Sequence, residues 1–225
     1  MTQIFPVKVK CPICENKMEI YNLMSTNRFG APDLDLRPPE MMRSTMNTWT
    51  KECNNCGYVS HDFNEKPKID REFLETDSYK NCDGFDFENN LSRIFYRESL
   101  INNNDVDAQF YSLLHCAWAC DDVNDVDNAI EIRKKAVELI DIMIDSDNNV
   151  NLKLTKADLM RRALMFEAVI EEYSNMDLNE EFLNEIIEFQ LIKAKEKDAG
   201  CYTTEDVQKS YNDSFYLKSN NRNPV

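Results

Sequence analysis

The second half of the chain carries apolar residues at helical spacing. Side chains recur three and four positions apart, which places them on one face of an α-helix. The spacing predicts five helices, and their core stripes are Leu91, Ile94, Phe95 and Ile101; Phe110, Leu113, Leu114, Ala117 and Trp118; Ile130, Arg133, Val137, Ile140 and Ile144; Leu159, Ala163, Phe166, Ile170 and Tyr173; and Phe182, Ile186, Phe189 and Ile192. We expect a short sixth helix to start near Thr204.

Residues that favour helix starts precede several of these stripes. Asp105 can cap the second helix. Thr155 with Asp158, and Asp177 with Glu180, have capping-box spacing at the fourth and fifth helices. Because the intervening loops are short and polar, we expect the second and third helices, and the fourth and fifth, to form two antiparallel hairpins. Because the domain consists of helical hairpins, we describe it as TPR-like. The hairpins repeat after about 50 residues, which is longer than the period of the standard tetratricopeptide repeat.

The first 66 residues show strand-like alternation instead. Val7 with Val9, and Met18 with Ile20, alternate with polar residues as strands do. Three of the four glycines and six of the seven prolines precede residue 85, so this part is rich in turns. The predicted fold class is α+β, with a small zinc ribbon of few strands over 1–66, a polar connector over 67–84, an all-α helical-hairpin domain over 85–212 and a frayed tail over 213–225.

Two Cys-x-x-Cys pairs lie inside the predicted ribbon, Cys11 with Cys14 and Cys53 with Cys56. Two cysteines at this spacing sit on one tight turn, which we call a knuckle, and both sulfurs point into its concave side. A second knuckle completes the tetrahedron of a structural zinc site. Gly57 directly follows the last cysteine and can adopt the positive φ that curls the backbone around the sulfur. We therefore predict one structural Zn²⁺ per chain.

Other interpretations of the four thiols are weaker. Unrelated thiols or two disulfides would need no metal, and iron also occupies Cys₄ sites. A catalytic zinc keeps an open coordination position and usually has a histidine or carboxylate ligand. His61 is the only histidine nearby, and we interpret it as a surface residue. The metal is therefore expected to be structural, and we assign no enzyme activity to it.

The 38 residues between the knuckles exceed what a minimal ribbon needs. Asp33, Asp35 and Arg37 alternate with leucines, so they would share one face of an extended segment. One interpretation is a recognition loop that presents these three residues and nearby methionines to a partner. The interpretation that we favour is that Asp33 pairs with Arg37 inside the protein while the methionines seal the ribbon against the helices.

Charge is unevenly distributed along the 225 residues. Residues 1–66 hold eight Lys/Arg and eight Asp/Glu, whereas residues 67–225 hold 18 against 33 and so carry the whole net charge of −15. Nucleic acids bind clustered cations, so we expect no strong nucleic-acid binding. The sequence has no apolar run of about 20 residues and no secretory signal pattern, which indicates no membrane association and a cytoplasmic protein with reduced thiols.

The remaining reactive residues are interpreted as structural. Cys116 and Cys120 lie one helical turn apart beside Trp118, as small core residues do. The basic clusters at 133–135 and 161–162 are expected to be solvated faces paired with neighbouring glutamates. A cysteine nucleophile needs a base beside it, and the sequence places none. An enzyme is therefore the weakest of the functional interpretations.

The motifs CPIC, STNRFGAPDLDLRPPEM and TWTKECNNCGYVS together resemble a group of uncharacterised bacterial proteins. Those proteins join a CPxC/CxxCGY zinc ribbon to a C-terminal helical, TPR-like domain. The resemblance covers residues 8–62 by motif and the helical part by pattern only. It implies the same architecture, a bacterial origin and Cys11, Cys14, Cys53 and Cys56 as ligands, and it carries no catalytic residue.

The sequence thus favours a binding or adaptor protein of the cell interior whose partner is a protein or peptide. Stacked helical hairpins expose grooves that suit such partners. The alternative is a zinc-ribbon regulator associated with nucleic acid or the transcription machinery, which a basic stripe on the ribbon would favour. The oligomeric state does not follow from the sequence.

Overall fold

The computed structural model of the protein describes residues 1–220. Its strands and α-helices are β1 (Gln3–Lys10), β2 (Lys17–Ser25), α1 (Glu40–Arg43), β3 (Lys51–Glu52), β4 (Val59–Ser60), α2 (Asp77–Lys80), α3 (Asn90–Ile101), α4 (Val106–Asp121), α5 (Val126–Ser146), α6 (Val150–Arg162), α7 (Phe166–Tyr173), α8 (Glu181–Lys195) and α9 (Thr204–Asn220). The predicted order of a few antiparallel strands followed by a helical part is confirmed. None of the helices in residues 1–220 has the length and hydropathy that crossing a bilayer requires.

The strands form two separate antiparallel hairpins, β1 with β2 and β3 with β4. The alternation seen in the sequence is that of the first hairpin, where Val9 lies opposite Met18 and Val7 opposite Ile20. Pro6 lies within β1 and has no N–H to give to a second neighbour, as expected of an edge strand. Each hairpin turn holds one of the two knuckles.

The segment between the knuckles folds back onto the helices. Leu34 and Met46 are buried in the main helical core. The backbone N–H of Leu34 donates to the carbonyl of Tyr202 at 2.9 Å, and Asp33 forms an isolated β-bridge with Thr203. The insertion is therefore fixed between the ribbon and the C-terminal part of the chain.

Residues 67–84, predicted as a polar connector, contain short helical turns and buried side chains. The Thr76 side chain accepts a hydrogen bond from the Tyr79 backbone and so caps α2. Leu74, Tyr79 and Cys82 are buried. The Tyr79 hydroxyl donates to the carbonyl of Gly57 at 2.7 Å, which ties this segment to the second knuckle.

Helices α3, α4 and α5 form where the apolar stripes predict them. Asn89 caps α3 and Asp105 caps α4, each by accepting a hydrogen bond from a backbone N–H three residues later. Consecutive helices pack as neighbours, α3 on α4, α4 on α5 and α5 on α6. Cys116 and Cys120 are completely buried in this core, as predicted.

The single fourth helix predicted after Thr155 is wrong, because two helices occupy this region. Helix α6 begins five residues earlier, and Thr155 is buried inside it rather than at its start. The break follows α6 at Leu164, which has a φ of 61°, and the N–H of Met165 closes the turn on the carbonyl of Met160. Such helix ends usually carry glycine at the positive φ. Because leucine occupies this position instead of glycine, no sequence signal indicated the break between the two helices.

Helix α8 starts later than predicted, whereas α9 starts at Thr204 as predicted but is longer than the short helix expected there. Helix α8 starts after Glu180, whose side chain makes no capping hydrogen bond. Instead, the Asn184 side chain holds the turn that precedes the helix. Its Oδ1 accepts a hydrogen bond from the N–H of Leu178, and its Nδ2 donates to the Leu178 carbonyl. Helix α9 continues to Asn220, through much of the segment predicted to fray, and residues 221–225 lie outside the described part of the chain.

Two hydrophobic clusters share α3. Phe95 and Tyr96 belong to the large cluster formed by the helices, whereas Ile94 and Ile101 belong to a smaller cluster with the cysteines of the ribbon. Arg97 strengthens this junction, because its Nη1 donates to the Glu52 carboxylate at 2.7 Å. The ribbon therefore packs directly on the first long helix.

Candidate functional site

The two knuckles have the same backbone conformation. In the first, the N–H of Glu15 donates to the carbonyl of Cys11, and in the second the N–H of Gly57 donates to the carbonyl of Cys53, each at 2.9 Å. Glu15 has a φ of 62° and Gly57 a φ of 75°. The sequence showed the glycine but not its counterpart, because glutamate rarely adopts a positive φ.

The four sulfurs lie close enough to share one ion. The ligand atoms of Cys11, Cys14, Cys53 and Cys56 lie within 4.8 Å of one another. The Sγ atoms of Cys11 and Cys56 are 3.7 Å apart, and those of Cys14 and Cys53 are 3.6 Å apart. A tetrahedron with metal–sulfur distances of about 2.3 Å has sulfur–sulfur edges of about 3.8 Å. The donor set therefore fits a tetrahedral metal ion bound by both knuckles.

Electrostatics around the sulfurs differ from one ligand to the next. Burial raises the pKa of Cys11 and of Cys56. Burial also acts to raise the pKa of Cys14, but hydrogen bonds from the Asn55 side chain and the Asn16 backbone outweigh it and lower the pKa to about 6. Metal binding requires all four thiols to lose their protons, so the cation must stabilise the buried thiolates.

His61 stands outside this group. Its ring is 61% exposed and its Nε2 lies 3.7 Å from a carboxylate oxygen of Glu65. The surface position predicted from the sequence is therefore what the structure shows. The group of possible ligands at the knuckles contains sulfur atoms alone within the described residues.

Asp33, Asp35 and Arg37 lie inside the protein, with exposed fractions of 9%, 0% and 7%. The segment is not extended, because Leu36 has a φ of 68° and its N–H donates to the carbonyl of Asp33. Arg37 Nε donates to Asp33 Oδ2 at 2.8 Å, which is the internal pair that we favoured. The three side chains thus share no exposed face.

Asp35 connects this turn to two distant helices. Its Oδ2 accepts hydrogen bonds from Trp118 Nε1 of α4 at 2.8 Å and from Arg162 Nη1 of α6 at 2.9 Å. Arg162 also donates to Asp121, which in turn binds both Arg133 and Arg37. We use the name ion-pair cluster for eight of these residues, which are Asp33, Asp35, Arg37, Asp121, Arg133, Asp158, Arg161 and Arg162. At its edge Arg37 also pairs with Asp122, which in turn lies 3.8 Å from Arg43, so this further pair adds one charge of each sign.

The expectation that both basic clusters are solvated faces is wrong for the arginines. Arg133, Arg161 and Arg162 are 2%, 0% and 6% exposed and all pair with aspartates. Burial acts to raise the pKa of Asp121, but Arg133 and Arg162 outweigh it and hold the pKa below its usual value. With four arginines and four aspartates, the ion-pair cluster is balanced in charge, which is what burial of so many ions requires.

An apolar groove of about 510 Å³ lies between α4 and the insertion. Its walls include Leu36, Met42 and Trp49 from the insertion and Tyr111, Leu114 and Trp118 from α4. Leu36 is 52% exposed and Tyr111 44% exposed, so two large apolar side chains face solvent here. Sequence analysis missed the groove, although Tyr111 lies at helical spacing from the core residues Leu114 and Trp118 and was a possible signal.

His115 forms part of the groove and packs among aromatic rings. Its ring centroid lies 5.0 Å from that of Trp49 and 5.1 Å from that of Trp118. Burial lowers the pKa of His115 to about 4, so the imidazole is neutral at pH 7. The groove therefore has an aromatic wall with an uncharged polar group in it.

Comparisons of the chain with protein-family models, with curated proteins and with solved structures found no match.

Proposed function

We propose that the protein is a cytoplasmic binding or adaptor protein in which one structural Zn²⁺ shapes the ribbon and the groove receives a segment of another protein. The observation that carries this proposal is the groove, an open and mainly apolar surface on which the side chains of Leu36 and Tyr111 are about half exposed. Apolar patches of this kind mark interaction sites. The TPR-like character of the helical domain and the kinship to bacterial zinc-ribbon proteins are parts of the same proposal.

The metal has a structural role in this proposal. Four sulfurs complete a tetrahedral coordination shell and leave no position for a substrate. The residues Cys11, Cys14, Cys53 and Cys56 would hold Zn²⁺, which would join the two hairpins. Because the ribbon packs on α3 and the insertion that starts and ends at the knuckles forms one wall of the groove, the ion supports the binding surface from a distance.

Charge supports a protein partner over nucleic acid. Lysines at 8, 10 and 17 of the first hairpin are exposed, but Glu15 and Glu19 lie among them, and Lys10 pairs with Glu15 at 3.0 Å. Arg133, Arg161 and Arg162, which belong to the basic clusters of the sequence, already pair with aspartates in the ion-pair cluster. A net charge of −15 repels a phosphate backbone.

The experiment is peptide selection against the intact protein followed by binding measurements on two matched variants. Tyr111→Glu places a charge in the groove, whereas Ile142→Glu places the same charge on α5 at a side chain that is 53% exposed. We expect selected peptides to bind the natural protein and the Ile142→Glu variant, and to bind Tyr111→Glu at least about tenfold more weakly.

Equal binding to both variants would place the binding surface elsewhere and reject the groove. Sub-micromolar binding of generic DNA with a steep salt dependence would instead favour the nucleic-acid regulator. Circular dichroism of both variants must match that of the natural protein, so that a lost interaction is not a lost fold.

A further inference from the structure

We infer that the groove binds an internal segment of another protein in which one acidic residue lies among large apolar residues, and that Arg28 binds the carboxylate of this residue. The inference rests on the proposed function and adds the chemistry of the partner. It follows from the charged side chain that lines the groove and from the groups that surround it.

Arg28 is the one charged residue among the described residues that line the groove. It lies three positions after the end of β2, and its side chain is exposed. Its guanidinium forms no ion pair or hydrogen bond within the part of the chain that the structure describes. The groove therefore holds a positive charge that no carboxylate of the described residues neutralises at close range.

Most other arginines of the protein already have a carboxylate partner. Nine arginines lie in residues 1–220, and the seven that pair with an aspartate or glutamate are Arg37, Arg43, Arg93, Arg97, Arg133, Arg161 and Arg162. The two without such a pair among these residues are Arg28 and Arg71, and Arg71 lies outside the groove. Arg28 thus combines an unpaired guanidinium with an apolar surface.

A carboxylate suits this guanidinium for two reasons. Two N–H groups of an arginine match the two oxygens of a carboxylate in distance and direction. Leu23, Leu36 and Pro38 line the same groove, so a segment that covers them displaces water near Arg28. An uncharged segment would take the guanidinium out of water without a counter-ion, which is unfavourable, whereas an acidic side chain supplies one.

The other polar side chains of the groove add no charge. The Tyr111 hydroxyl and the His115 ring form no hydrogen bond with the described residues, so both can exchange hydrogen bonds with a bound backbone. Burial lowers the pKa of His115 to about 4, so its ring is neutral at pH 7. One carboxylate therefore balances the groove, and a run of acids would be repelled by the net charge of −15.

The groove adjoins a second depression, which has a volume of about 450 Å³ and lies between the two strand hairpins. Leu23 and Trp49 line both the groove and the depression. Lys51 and Asp62 also line the depression, so it carries charges of both signs and favours neither. A bound chain can leave the groove in this direction, which favours an internal acidic side chain over a terminal carboxylate that would end the chain inside the groove.

Intrinsic fluorescence reports on this site, because the chain has two tryptophans and both line the groove. The probes are tryptophan-free peptides selected on the intact protein from a random library and synthesised with both ends blocked. Each is compared with a copy in which the amide, Gln or Asn, replaces the acid. The protein variants are Arg28→Gln and, as the matched control, Arg71→Gln, which removes the unpaired arginine outside the groove.

We expect the selected peptides to carry an acidic residue next to large apolar residues and to shift the tryptophan emission to shorter wavelength. Their amide copies should bind the natural protein and Arg71→Gln at least about tenfold more weakly. On Arg28→Gln the acidic peptides and their amide copies should bind alike, because one partner of the pair is already missing. Arg28→Glu should instead prefer copies in which lysine replaces the acid.

Peptides that lose binding to Tyr111→Glu but bind the natural protein and Arg28→Gln equally would overturn the inference and leave the proposed function standing. Peptides that bind through Arg28 only with a free C-terminal carboxylate would also overturn it, because they would place a chain end in the groove. An emission shift that grows with the concentration of the protein alone and disappears in Arg28→Gln would identify a second copy as the occupant and contradict the inference. Selection of no peptide, or of peptides that are insensitive to both Tyr111→Glu and Arg28→Gln, would reject the inference and the proposed function together.

Discussion

The metal centre and the ion-pair cluster both join parts of the chain that are distant in sequence, but they do so by different means. At the candidate metal centre four cysteine sulfurs lie 3.6–3.7 Å apart in pairs, and a bound Zn²⁺ would offset two of the four negative charges that they carry as thiolates. In the ion-pair cluster four arginines neutralise four aspartates, and the protein supplies both charges. The first would depend on a bound ion, whereas the second uses only charges that the protein itself supplies.

Because of this difference, the two regions should lose stability in different ways. Structural zinc supplies much of the folding free energy of a small ribbon, so its loss should unfold that ribbon as a unit. Loss of one aspartate from the ion-pair cluster leaves a buried arginine without its partner, and the cost falls on the helices around it. The two regions should therefore respond largely independently to substitutions, and the insertion is what links them, because it carries Asp33, Asp35 and Arg37 and its ends are the knuckles.

The largest effect is expected from Cys53→Ser. We predict that this variant binds no zinc and loses the ribbon, because on the order of 10 kcal/mol of apparent binding free energy disappears. Helices α4 to α8 should stay folded, since their core contains few ribbon residues. Circular dichroism and elemental analysis check both parts.

Cys201→Ser is the matched control, because Cys201 lies outside the ligand group and a serine hydroxyl can keep the hydrogen bond that its thiol donates to Asp33. It should retain the metal and the full helical signal. If Cys53→Ser instead loses its helicity completely, the ribbon and the helices fold as one unit, and the independence of the two regions is wrong.

A smaller but still large effect is expected from Asp35→Ala. This change removes the acceptor of both Trp118 and Arg162 in a fully buried position, so we predict a loss of about 3–5 kcal/mol of unfolding free energy. Urea denaturation measures it, with Asp145→Ala as the exposed control. The variant should keep its zinc. Arg37→Ala should act in the same direction, and an unchanged melting temperature for both would contradict the structural role of these residues.

Acid should weaken the ion-pair cluster through Asp121. Its pKa is lowered in the folded protein, so its contribution to stability is complete above the unfolded pKa of about 3.9 and is lost as pH falls through the folded value. We predict that Asp121→Asn is less stable than the natural protein at pH 7. The difference in unfolding free energy between the variant and the natural protein should become smaller in acid. Urea denaturation at several pH values below about 5 tests this.

The smallest effects are expected at the two residues that close the knuckles. An added Cβ at Gly57 would meet Arg97 and Glu52 at ordinary contact distances of 3.8 Å, so only its φ of 75° opposes a side chain. Gly57→Ala should cost about 1 kcal/mol. Glu15→Gly relieves the same conformation in the first knuckle, so it should change stability by less than about 1 kcal/mol and in the opposite sense. If Gly57→Ala and Glu15→Gly lowered the stability equally, the positive φ at these positions would not explain the effects.

The features that could be predicted from the sequence are those formed by residues a few positions apart. The knuckles are recognisable because two residues separate each pair of cysteines, and the cap at Asp105 is recognisable because it acts on the next turn. Such features depend on neighbours a few positions away, whose geometry the backbone sets. The α+β order and the positions of α3 to α5 follow for the same reason.

Contacts between distant residues could not be predicted this way. Asp35 meets Trp118 83 positions later and Arg162 127 positions later, and no local pattern encodes either contact. The arginines looked like a solvated face because basic pairs usually are. Leu164 ends α6 without glycine, and the groove exists only because the insertion folds onto α4.

Elemental analysis of the protein purified without added metal, combined with thiol labelling, tests the metal centre most directly. The chain has eight cysteines, and we predict about one zinc per chain, with Cys11, Cys14, Cys53 and Cys56 protected from labelling until a chelator is added. One iron instead of zinc would change the metal but keep the centre. No metal, or four ligand cysteines joined in disulfides under reducing conditions, would contradict the account.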